Sequence, residues 1–187
     1  MIQNLEPRTV CLAVWILLLP GGLLASAGPA HPVSGAVGSL LVLTSMYGYP
    51  ILVSAIPQLN VSTLARRLAI FCVVMWAVLF AVGFLTGSSG YTDADSPAWS
   101  LPIGLAVAVG ILVPFIVAAT ALRRLERAVG WNVAFGAVSA FLWLFYWPVG
   151  VFFFHRRLQG AMDRRATIEL ERERRGGERP STRTGAP

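Results

Sequence analysis

Five apolar stretches, at about 10–28, 36–56, 68–87, 101–122 and 132–154, contain no Asp, Glu, Lys, Arg or His. Each is close to the roughly 20 residues that an α-helix, rising 1.5 Å per residue, needs to cross a hydrocarbon core of about 30 Å. Backbone in lipid must satisfy its own hydrogen bonds, which restricts such stretches to helices. The expected fold is therefore all-α: a polytopic transmembrane bundle of about five helices over residues 1–155, followed by a charged tail over 156–187. The composition agrees. Charged residues make up 13% of the chain and hydrophobic residues 56%, where a soluble domain carries about 25% charge. So little charge cannot cover a surface against water, and a bilayer is the expected solvent.

The first stretch has a second reading. Ala25-Ser26-Ala27 has the A-x-A spacing of a signal-peptide cleavage site, although "MIQNLEPR" lacks the usual positive character and Pro20-Gly21-Gly22 interrupts the apolar run. Past Phe154 the chemistry flips. Leu158, Met162, Ala166 and Leu170 recur every four residues through an Arg/Glu-rich segment, a thin amphipathic stripe. "GGERPSTRTGAP" then has no periodicity and is expected to be disordered.

All fifteen basic residues are arginines, and the net charge is +6. In a membrane protein such charge first sets orientation. With five crossings the rule ties: Arg8, Arg66, Arg67, Arg123, Arg124 and Arg127 fall on one side, and Arg156, Arg157, Arg164, Arg165 and Arg172 on the other. The tie breaks if 132–154 does not span. Pro148 and Gly150 could turn that run back as a re-entrant segment, which puts every one of these arginines on a single side. Re-entrant backbone is tolerated only where protein covers it.

Ionisable groups inside apolar helices are the usual mark of transport or proton relay, and the five stretches carry none. His31 reads as a loop residue, and His155 as a boundary residue snorkelling beside Arg156. Cys11 and Cys72 lie in apolar runs without a C-x-x-C partner, so neither a disulfide nor a metal site is expected. "GSSG" at 87–90 has the G-x-S-G spacing of rhomboid-type intramembrane proteases. It sits at the end of a run rather than the start of one, and no histidine follows inside a later run. Small residues at four-residue spacing (Ala77, Ala81, Gly83/Gly87, Ala106/Gly110, Gly136/Ala140) point to close helix packing.

Pro20, Pro50, Pro114 and Pro148 fall inside four of the five runs and are expected to kink them. Around two of these kinks cluster the candidate cavity-lining residues Thr44, Ser45, Tyr47 and Tyr49 before Pro50, and Tyr146 and Trp147 before Pro148. Their polar tips need partners in a dry setting. Arg156, Arg157, Arg164 and Arg165 are the candidate membrane-surface residues. The functional expectation is a non-enzymatic accessory, assembly or regulatory protein of a cell membrane of the bacterial inner type. Its partners would be lipid and other membrane proteins or itself, without cofactor, metal or nucleic acid. The alternative is a carrier or channel for a neutral or lipidic solute.

Overall fold

The computed structural model describes residues 5–26, 31–86, 100–131 and 136–177. Among these residues every regular element is helical: α1 (Pro7–Ser26), α2 (Pro32–Ser54), a 3-10 turn (Pro57–Leu59), α3 (Thr63–Thr86), α4 (Ser100–Ala128), α5 (Gly136–Phe145) and α6 (Gly150–Gly177). Residues 87–99 with their "GSSG", the cleavage spacing at Ala27 and the tail end 178–187 lie outside the described residues. By length and composition, α1 and α2 are each long and apolar enough to cross a membrane.

Local chemistry sets the helix boundaries. α2 begins with Pro32, whose fixed φ suits a first helical turn and whose missing N–H is no loss there. Ser62 caps α3 by accepting the Ala65 N–H at 3.2 Å. α4 runs two turns beyond its apolar stretch and ends in a Schellman turn. There the Trp131 N–H reaches the Glu126 carbonyl at 2.8 Å, and Gly130 adopts a φ of 74°. Consecutive helices pack on one another, and α2/α4 and α1/α6 contacts close the bundle. The α1–α2 crossing is close. A Cβ on Gly38 would meet the Gly21 carbonyl oxygen at 2.6 Å and would run into the Ala25 amide.

The fifth expected helix is not one helix. The run 132–154 breaks into α5, a turn at 146–149 and the start of α6, with the Trp147–Pro148 peptide cis. The chain then reverses. Arg157 reaches the Gly136 carbonyl at 3.3 Å, whereas 21 residues of continuous helix would hold them about 31 Å apart. Trp143 on α5 stacks on Phe153 on α6 at 4.4 Å between ring centroids, which fixes the antiparallel register. Gly150 is the pivot, because any Cβ there would collide with the Trp143 carbonyl oxygen. The turn packs on α1, where Cys11 Sγ lies 3.9 Å from the Pro148 carbonyl oxygen.

Because of this return, α6 lies across the end of the bundle that also holds the start of α1, the α2–α3 connection and the end of α4. Leu5 touches His155 and Gln159, Gln58 touches Arg165, and Glu126 touches Arg157. Ten arginines, from Arg8 to Arg165, therefore gather at one end. The buried stripe of α6 is Val151, Phe154, His155, Leu158 and Ala161. It starts earlier than the expected stripe and stops short of it, since Ala166 and Leu170 are exposed.

Substitution at the two glycine environments gives opposite expectations. Gly150→Ala forces the hairpin apart and should lower the unfolding free energy in detergent by about 1–3 kcal/mol, the usual range for overpacking. Gly48 has nothing within 4 Å of its would-be Cβ, so Gly48→Ala should be neutral or raise stability by about 0.5–1 kcal/mol through helix propensity. Thermal melts of the two variants side by side check the pair.

Candidate functional site

Two buried polar constellations lie at the arginine end. The first centres on Glu126, which shares the inward stripe of α4 with Phe115, Ala118 and Leu122 and is fully buried. An isolated carboxylate there would carry a desolvation penalty of several kcal/mol. Arg157 offsets it with a bidentate grip: Nε donates to one carboxylate oxygen, and Nη2 donates to the other at 2.9 Å. Two further donors are used, with Nη1 on Ser139 Oγ at 2.6 Å and Nη2 on the Gly136 carbonyl at 3.3 Å. Ser139 in turn donates its own O–H to the Gly136 carbonyl at 3.2 Å. Arg123 stands 3.9 Å from the carboxylate, and its Nη1 also reaches the Trp131 carbonyl at 3.5 Å.

The second constellation is a chain through His155. Nε2 lies 2.8 Å from the Leu5 carbonyl oxygen, and Nδ1 lies 2.9 Å from the Tyr49 hydroxyl. A carbonyl only accepts, so Nε2 carries the proton. Nδ1 of the neutral ring is then the acceptor, and the Tyr49 O–H donates to it. Gln159 donates a second hydrogen bond to the Leu5 carbonyl at 2.6 Å. Burial holds the imidazole below its ordinary range, partly countered by the hydrogen bond to Leu5.

These arrangements tie helices together. The hydrogen bonds of Arg157 join α4, α5 and α6, and those of His155 join α2, α6 and the segment leading into α1. Ser139 lies between the Arg157 guanidinium and the Gly136 carbonyl. Among the described residues no three His, Cys, Asp or Glu side chains come together as a metal shell.

The candidate cavity residues do not converge. Thr44 is exposed and bonds the Leu40 carbonyl at 2.7 Å; Ser45 is buried and bonds the Val42 carbonyl at 2.7 Å. Tyr47 packs on Phe115 with centroids 5.3 Å apart, and Tyr49 is the partner of His155. Tyr146 points outward and is 69% exposed. Trp147 is half-buried, and its Nε1 is a buried atom without a hydrogen-bond partner. Of the candidate surface arginines, Arg156 and Arg164 are exposed. Arg165 pairs with Glu169 at 2.9 Å and donates to the Gln58 carbonyl at 2.9 Å. The Arg157 side chain is only 16% exposed, because the hairpin carries it onto Glu126. His155 does not snorkel either: it sits on the buried stripe of α6, fully covered.

Comparison of the chain with protein-family models, with curated proteins and with solved structures finds no match.

Arg157→Met leaves Glu126 buried without its partner and should cost about 3–5 kcal/mol; Glu126→Met/Arg157→Met together should recover most of that. Denaturant unfolding of the single and double variants measures both. For His155 the sign follows from its lowered proton affinity. The unfolded chain binds the proton more readily, so stability is full above the ordinary value of 6.5 and is lost as pH falls below it. Melting midpoints between pH 8 and pH 5 should drop for the parent chain and drop less for His155→Phe. Superimposable profiles would contradict the assignment.

Proposed function

We propose that this chain is a multi-pass integral membrane protein in which α1–α4 cross the bilayer and α5–α6 form a re-entrant hairpin. In this reading it acts as a non-catalytic accessory, assembly or regulatory component toward other membrane proteins or further copies of itself. The observation that carries the topology is the Arg157 contact with Gly136 and Glu126, which demands reversal at Pro148. It turns the tied charge count into a one-sided one, with ten arginines at one end. The positive-inside rule then makes that end cytoplasmic in a cell membrane.

Outward-facing chemistry supports the same reading. Leu12, Ile16, Leu19 and Leu23 on α1, and Phe71, Val74, Val78 and Val82 on α3, are exposed in continuous helical stripes. Apolar area of that extent is costly in water and costs nothing in hydrocarbon. Between helices in lipid the hydrophobic effect gives no attraction, so close packing and polar contacts must hold the bundle. The Gly38 crossing and the two buried constellations fit that need. The accessory role draws on side chains that are consumed in structural bonds. The carrier alternative has less support, since Tyr47 and Tyr49 are tied up in packing and hydrogen bonding rather than lining an opening.

Single cysteines in a Cys11→Ala/Cys72→Ala background test the topology with a membrane-impermeant maleimide. Ser62→Cys and Glu171→Cys should label from the same side, and His31→Cys from the opposite side. Labelling of Glu171→Cys together with His31→Cys would overturn the hairpin. The non-carrier reading fails if the purified chain alone speeds solute release from proteoliposomes and Tyr49→Phe abolishes that release while stability holds.

A further inference from the structure

Each outward apolar stripe ends, at the same end of the bundle, in an exposed arginine. On α1 the register runs Leu23, Leu19, Ile16, Leu12 and then Arg8; on α3 it runs Val82, Val78, Val74, Phe71 and then Arg67. On α4 the exposed positions Val109, Ile116 and Thr120 lead to Arg124, with Arg127 one turn on. The steps are three, four or seven residues throughout, so each arginine continues its stripe on the same helix face. None of these four arginines has an ion pair among the described residues; the three bridges there belong to Arg123, Arg157 and Arg165. The nearest exposed acid to Arg8 is Glu6, just before α1 begins, and the first turn of α3 has none. Glu126 on α4 is buried and already held by Arg157.

We infer that these stripes are binding tracks for anionic phospholipids, with acyl chains laid along the apolar residues and the phosphate held by Arg67, by Arg124 with Arg127, and by Arg8. The inference rests on the membrane reading above and deepens it by naming the lipid class and the residues. The chemistry is complementary at both ends of the ligand. The guanidinium presents a planar fork of donors to phosphate oxygens. The apolar stripe is the surface that lipid tails wet, and one lipid spans both within a single leaflet. A zwitterionic headgroup would bring its own cation against the same arginine, so net negative lipids fit better. Because the cations are anchored on helices rather than on the tail, the grip is positional. It is not a consequence of net charge alone.

The test uses the full chain reconstituted in vesicles of phosphatidylcholine with phosphatidylglycerol, then released for native mass spectrometry to count retained lipids. Phosphatidylglycerol should be retained in preference to phosphatidylcholine. Each arginine near an anionic surface contributes about 1 kcal/mol, so Arg67→Gln and Arg124→Gln should each cut retention about fivefold. Arg175→Gln, which removes the same charge from the far part of α6, should leave it unchanged. Equal retention of the two lipids, or an equal loss with Arg175→Gln, overturns the tracks while leaving the membrane topology standing. A chain that carbonate washes out of the vesicles would instead sink the membrane reading, and this inference with it.

Discussion

The buried pair between Glu126 and Arg157 is the contact on which the rest of the arrangement depends. It joins the end of α4 to the start of α6 across the base of α5, and so sets the reversal at Pro148. Without it a carboxylate would be stranded on the inward face of α4, at a cost larger than most single packing contacts return. The pair also explains why α4 outruns its apolar stretch by two turns. The Schellman turn uses the Glu126 carbonyl while the side chain reaches Arg157. One residue thus fixes both the end of a helix and the position of the hairpin beyond it.

The polar chemistry is concentrated in one place. Glu126, Arg157, His155, Tyr49 and Gln159 lie at the arginine end, while the length of α1 and the outer face of α3 offer apolar side chains. Such a division suits a body with one wet end and a hydrocarbon girdle. Hydroxyls along α2 and α4, exposed or buried, are satisfied by their own helices: Thr44, Ser45, Ser54 and Thr120 all bond carbonyls three or four residues back. That habit keeps helical polar groups from needing water or ligand, and it leaves the tyrosines of α2 as packing elements.

Much of this was legible in the sequence, and the parts that were not share a cause. The first four apolar stretches map onto α1–α4 within a few residues at most ends, because charge-free runs of spanning length admit little else. The fifth did not, since hydropathy is blind to direction: Phe141–Phe154 reads the same whether the helix continues or doubles back. Pro148 and Gly150 were the available signals, and only Gly150's contact with the Trp143 carbonyl shows why glycine is required there. Glu126 was missed because it falls just beyond an apolar run. Its register with Leu122 and Val129, as the lone acid between Asp95 and Asp163, marks it in retrospect as buried and in need of a cation. The sequence alone puts His155 and Arg157 at the membrane surface; the reversal instead seats His155 on the buried stripe of α6 and brings Arg157, on another face, against Glu126.

The central claim is that the chain reverses between α5 and α6, and a distance settles it most directly. Val138 and Arg156 are both exposed and can carry spin labels without disturbing the Glu126 pair. If the hairpin holds, double electron–electron resonance in lipid should give a short separation, well under 20 Å between label sites. A continuous helix would place the same sites about 27 Å apart. A single distribution centred at that longer distance would contradict the fold and the one-sided arrangement of arginines built upon it.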